Sequence, residues 1–250
     1  MNHAVILPTT RDEGWRYADA AALAAADPAA LASWRELSLP AGERLTQTRV
    51  IDRAGVDRLR VHVGPNAHYA HFAINAGPGY ARCEIEATLE QGASFTFGGV
   101  TIGGGDATQE FVTRVMHAAP EGASNQIVRA VQWGRATGNF LGAIEVARDA
   151  QKTDAAQNFR AILLERGASA NAKPELEIFA DDVKCAHGAA IGALDEMAGF
   201  YMAARGIPPE AARRLLVRAF IADAFAALED EALRDNLVEQ AVSRLEGSAL

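Results

Sequence analysis

Short alternating runs of apolar and polar residues dominate the middle of the chain. Leu59, Val61 and Val63 form one, and Phe72 and Ile74 alternate with His71, Ala73 and Asn75. Further runs cover Cys83 to Leu89, Phe95 to Ile102, Phe111 to Met116, Ile127 to Val131 and Phe140 to Val146. Side chains two apart on an extended backbone share a face, so these runs predict strands of about four to eight residues closed by glycine and polar turns. The flanks read differently. Arg11 to Leu37 is alanine-rich, carries Trp15, Tyr17, Leu23, Leu31 and Trp34, and has a helix-start signal at Asp27-Pro28; it predicts two short helices, ended by the break Pro40-Ala41-Gly42. Beyond Gly192 a shorter helix is expected at about Ala193 to Arg205. Pro208-Pro209-Glu210 then opens a helix in which Leu216, Phe220, Ile221, Ala224, Phe225 and Leu228 fall on one stripe. After Glu229-Asp230-Glu231, a second stripe runs through Leu233, Leu237, Val238, Ala241 and Leu245, which makes the tail an antiparallel helical pair. By propensity alone Ala147 to Arg166 also reads as helix, with Gly167 as its stop.

A turn device recurs between the strands. Gly92-Ala93-Ser94, Gly122-Ala123-Ser124 and Gly167-Ala168-Ser169 each follow a polar or charged residue, and Gly188-Ala189 repeats the first two letters. The spacing is irregular, yet its recurrence fits a β-solenoid that needs a small residue at each corner, in preference to a β-sandwich, which recycles turns as well.

At 250 residues, the chain is long enough to bury a sizeable core without staples. A formal charge of −8 lacks the basic footprint of a nucleic-acid or anionic-membrane binder. Two cysteines, Cys83 and Cys185, are not a secreted disulfide framework. Met1 to Thr10 has no leader pattern, and no segment has the apolar length of a membrane span. The expectation is a soluble, cytoplasmic protein with neither nucleic acid nor membrane as partner.

Candidate chemistry concentrates in Lys173 to Gly188, where Cys185 and His187 stand two residues apart after a strand-like run. On an extended backbone they project from one face about 6.6 Å apart along the chain. Thiolate and imidazole suit zinc or iron–sulfur chemistry, but a mononuclear site or a cluster takes about four ligands, so the pair is at most half of a site. Against this stands the ordinary reading of Cys185 as a small buried hydrophobe, and of His187 as a solvated residue at a strand end. Neighbours on a strand face opposite ways, so Asp181 and Asp182 are expected at a solvated corner rather than sharing a proton. Gly103-Gly104-Gly105 lacks the lysine and hydroxyl residue of a phosphate loop. His62, His68 and His71 lack the spacing of a metal site, and His117 has no assignable role. No Ser/His/Asp arrangement stands out.

The residues from Gly138 to Phe225 resemble the SufD branch of the SufB/SufD family of iron–sulfur cluster assembly scaffold subunits. The likeness is carried by Phe140-x-Gly142-x-Ile144-x-Val146, Ala150 to Ala155, Leu163-Leu164, Lys173 to Gly188, Gly192-x-Leu194-Asp195-Glu196, Phe200-Tyr201, Arg205-Gly206-Ile207 and Ala219-Phe220. Upstream, His117, Ser124, Gln126 and Arg129 fit the family's pattern, and Trp15-Arg16-Tyr17 is similar to its N-terminal signature. Ala186, Ala190 and Met197-Ala198-Gly199 depart from it.

The resemblance implies a mainly β protein with flanking helices. Its core would be a right-handed parallel β-helix over residues 46–190, after a short helical region at 1–45 and before a helical domain at 191–250. It turns Gln151 to Leu164 into solenoid, against local propensity, and makes the chain a compact member with a reduced helical N-terminal region. It further implies a non-catalytic scaffold subunit. That subunit would pair with a SufB-like paralogue, or with itself in isolation, and dock a SufC-like ABC ATPase through its C-terminal helices. It would bind no nucleotide of its own. A transient iron–sulfur cluster would form at the interface, with His187 as the shared metal ligand and Cys185 beside it. The rival reading is a β-solenoid polysaccharide hydrolase or lyase using Asp181 and Asp182, which the missing leader and an aromatic content of 7% disfavour.

Overall fold

The computed structural model describes residues 7–245 and Ser248; residues 1–6, part of the stretch read above for a leader, lie outside it. Twelve parallel strands wind as a two-sided β-solenoid. One sheet holds β1 (Arg35–Leu39), β3 (Gly55–Val63), β5 (Tyr80–Leu89), β7 (Thr108–His117), β9 (Thr137–Val146) and β11 (Ser169–Ile178), stacked in that order. The other holds β2 (Arg44–Ile51), β4 (His68–Asn75), β6 (Ser94–Gly103), β8 (Ala123–Gln132), β10 (Asp154–Leu163) and β12 (Lys184–Gly192). Each coil therefore consists of one strand from each sheet, and the coil grows from 24 residues (Arg35 against Leu59) to 32 (Thr137 against Ser169).

Alternation sorts the side chains. Inward positions such as Val61, Phe95, Phe97, Phe111, Val128, Phe140 and Phe159 fill the space between the sheets and are buried. The outer face of the even-numbered sheet is apolar too. Phe72, Ile74, Val100, Ile102 and Val131 pack against α4 (Pro209–Asp223) and α5 (Glu231–Val242), through Val217, Ile221, Phe225 and Val238. Strands covered on both faces read as dense apolar runs, as parallel sheets require. Arg129 of β8 anchors the end of α4 with a 2.6 Å ion pair to Asp223. Gly98 provides the seat: a Cβ there would lie 2.1 Å from the Ala224 carbonyl oxygen and 2.6 Å from the Phe72 ring. Gly98→Ala is accordingly expected to cost about 1–3 kcal/mol by forcing the helix off the sheet, measured as a lower urea midpoint; an unchanged midpoint would refute this seat.

The opposite sheet is crossed by the N-terminal segment, with α1 (Ala20–Ala25) and α2 (Pro28–Ala32) capped by Asp19 and Asp27. Trp15 lies over the Arg82 guanidinium, 3.8 Å from its carbon. Arg82 donates to Gly14 O, Glu84 and Glu110, and Asn139 donates to Tyr17 O. This buried charge cluster is almost fully paired, as burial demands.

Two sequence expectations need correction. The helical reading of Arg11 to Leu37 fails at its end, because Arg35–Leu39 is β1, where Leu37 and Leu39 alternate inward. The propensity helix at Ala147 to Arg166 is instead β10, flanked by turns: Ala155, Gln157, Phe159 and Ala161 point inward in register with β8. Tertiary stacking overrides propensity there. The tail follows expectation, with α3 (Glu196–Ala203) before α4 and α5.

Candidate functional site at the last coil

Parallel stacking sets columns of side chains along the inside of the solenoid, and one column ends at the candidate site. Gln47, His71, Phe97, Gln126, Gln157 and His187 occupy matching positions on the six even-numbered strands. The neighbouring column runs Tyr69, Phe95, Ser124, Ala155, Cys185. Both site residues thus point to the inner side of β12. Among the described residues no strand follows it in this sheet, so the inner side of the last coil is open and His187 is exposed. Its imidazole makes no hydrogen bond or ion pair with any described residue. Beneath it, Gln157 of β10 crosses the interior and donates from Nε2 to the Glu175 carbonyl of β11 at 3.0 Å, which ties the strand under β12 to the edge strand of the opposite sheet. The sequence reading put His187 at a strand end; β12 instead continues to Gly192, so the imidazole sits mid-strand on a supported ribbon.

Cys185 is half-buried, packed with Ala155, Val146, Ala150, Ala180 and Val183. Burial raises its thiol pKa, and the charge of Asp154 raises it further. That is the reverse of the environment that makes a reactive thiolate. Cys185 is thus the half-buried member of the pair and His187 the exposed one. Among the described residues no three His, Cys, Asp or Glu side chains assemble a metal site.

The other candidates disperse. Asp181 and Asp182 stand exposed at the corner between β11 and β12, where the Asp182 backbone receives Lys152 N–H and donates to Gln151 Oε1. His62 is exposed near Glu90, His68 bonds Ser94 Oγ at 2.6 Å, and His71 is buried against Tyr69. His117 is buried, with Nε2 2.9 Å from Ser124 Oγ. Gly104 packs under the Trp133 indole. Sequence reasoning missed Gln157 as a strut, and missed the exposed apolar rim of Ile178, Phe179 and Ile191 around the open end. Uninterrupted Glu177-Ile178-Phe179-Ala180 beside acidic residues was the available signal. Farther along, α3 exposes Met197, Phe200 and Tyr201 and walls a groove of about 500 Å³ with Leu163, Leu194 and Leu216.

The family described as SUF system FeS cluster assembly, SufBD core domain, matches residues 46–220. The chain belongs to the SufBD core family. Similar relatives include the iron–sulfur cluster assembly protein SufD of Escherichia coli, 37% identical over 126 residues, which is 50% of this chain and 30% of that protein. The chloroplastic protein ABCI7 of Arabidopsis thaliana is 40% identical over 133 residues, 52% of this chain and 28% of the relative. A SufBD family protein of Mycobacterium leprae is 28% identical over 227 residues, 81% of this chain and 55% of the relative. This SufBD chain thus spans about a third of the length of the first two relatives. The family match takes in ten of the solenoid's strands whole, from β3 through β12, together with most of β2 and α4.

Proposed function

We propose that this SufBD-family chain is a non-catalytic scaffold subunit for iron–sulfur cluster assembly. It docks through its last coil onto a SufB-like paralogue, and the cluster is cargo built at that junction. One observation carries the reading: His187 stands exposed, with no hydrogen bond or ion pair to any described residue, on the inner side of an edge strand, and Ile178, Phe179 and Ile191 are exposed on or next to the two edge strands. An edge strand with free backbone groups and an apolar rim suits strand pairing with another chain. A single imidazole cannot hold a cluster alone, so the partner supplies the remaining ligands. The reading assigns the groove beside α3 and α4 to a SufC-like ABC ATPase, which brings the nucleotide chemistry. It places the complex in the cytoplasm, where the two free cysteines stay reduced. Without a paralogue the same end pairs two copies of the chain. Nothing supports a polysaccharide hydrolase: Asp181 and Asp182 stand exposed at a corner. The test is reconstitution from purified parts. The chain, mixed with a SufB-like subunit and a SufC-like ATPase, is expected to elute as one complex from size exclusion; separate elution of all three would overturn the reading.

A further inference from the structure

The two ends of the solenoid are chemically unlike. At the mouth of the first coil Arg35 of β1, Arg49 of β2 and Asp57 of β3, in the coil beneath, lie on the inner side, stacked in register on Leu59, Ala73 and Cys83 and beside the half-buried Leu37 and Leu45. They reach across the mouth to one another. Arg35 donates from Nε and Nη2 to Asp57 Oδ1 at 3.2 and 3.1 Å, and Arg49 donates from Nε to Oδ2 at 2.8 Å. Just inside, Tyr69 donates to Gln47 Oε1 at 2.9 Å. The edge strand β1 has only 5 residues. At the last coil the inner side carries Ala172, Pro174, Leu176, Cys185, His187 and Ala189, on edge strands of 10 and 9 residues.

We infer that the Arg35–Asp57–Arg49 clasp closes the first coil to association, so that this solenoid docks through its last coil only and its assemblies stop at two solenoids. A solenoid has two open ends, and a chain able to join first coil to last would grow head to tail into a filament. Inward-pointing charge and a short edge strand are the devices that block such growth. The physical reason is desolvation. Covering the clasp with another solenoid end would strip water from three charges at once, whereas the apolar inner side of the last coil gains from being covered. The occupant excluded is thus a second solenoid end, of this chain or of a paralogue.

Sedimentation velocity of the full chain, over about a hundredfold range of concentration, tests this. Wild type is expected to stop at the dimer. The variant Arg35→Leu/Asp57→Leu/Arg49→Leu removes the charge and is expected to form species larger than a dimer that grow with concentration. The near-isosteric Arg35→Gln/Asp57→Asn/Arg49→Gln keeps the side-chain volumes, so it stays informative should the leucine variant not fold; it is expected to show the same growth, less strongly. Circular dichroism confirms the β-structure of each. Folded variants that stop where wild type stops would overturn the inference. This readout is independent of cluster formation, so it fails or succeeds separately from the scaffold reading.

Discussion

His187→Ala is expected to lower cluster formation by the assembled complex by about 10–100-fold, on the scale by which disturbing a metal site's ligand shell lowers affinity, while the isolated chain keeps its fold. The separation follows from geometry. The side chain is exposed and contributes no hydrogen bond, so truncation changes stability by no more than about 0.5 kcal/mol. Reconstitution with ferrous iron and sulfide, read as cluster absorbance and acid-labile sulfide, gives the first quantity; urea denaturation gives the second. Cys185→Ala reverses the ranking. Its half-buried thiol sits in an apolar cluster, so the variant is expected to lose about 1 kcal/mol of stability and less cluster than His187→Ala. Wild-type cluster yield from the His187→Ala complex would remove the imidazole from the mechanism.

Acid is expected to destabilise the isolated chain steeply between pH 6.5 and 4. His71 and His117 are 2% and 0% exposed, and burial depresses both imidazoles from 6.5 to about 4. Positive charge on Arg35 pushes His71 further the same way, while Asp57 opposes it. In the unfolded chain both protonate near 6.5. Between the two values the unfolded state therefore binds more protons, and stability falls as pH falls. It is fully present above about pH 6.5 and exhausted near pH 4. A displacement of this size amounts to about 3 kcal/mol per histidine, comparable for the pair with the whole stability of an ordinary domain. Urea midpoints at neutral and acid pH measure it. The double variant His71→Asn/His117→Gln should flatten the acid limb, and a limb equally steep in the variant would assign the loss to other groups.

Why some of this was legible in the sequence and some was not depends on which force acts at each place. The strands from Leu59 to Val146 were legible because alternation reports burial directly, and the helical pair after Pro208 because its stripes meet a single sheet face. Gln157 shows the opposite case. Its segment has helix-favouring composition, and only the stacking of Phe159 on Val128 and Ala155 on Ser124 makes it strand, a long-range term that propensity omits. The corner repeat was half legible. Gly92 has the left-handed φ of 65° that its corner requires, but the equivalent corners use Asn66 (57°), Glu121 (64°) and Lys152 (62°), so the conformation repeats where the letter does not. The interval from Gly122 to Gly167 looked irregular because it spans a coil and a half, from the corner before β8 to the one before β11. Gly188-Ala189 was a false member, lying inside β12. At the site itself, the spacing of Cys185 and His187 foretold a shared face. It gave no hint that one of the two would be half-buried and the other exposed.

The lengthening of successive coils, from 24 residues to 32, gives the solenoid a taper. The strands lengthen from 5 residues in β1 to 10 in β5 and stay at 9 or 10 to the end, at about 3.3 Å per extended residue, so the end that bears His187 is broader than the end that bears Arg35. Two such ends set face to face make a spindle thickest at its waist. On the proposed docking, a cluster assembled there would be shielded by the broad ends of both solenoids, with the narrower ends pointing outward.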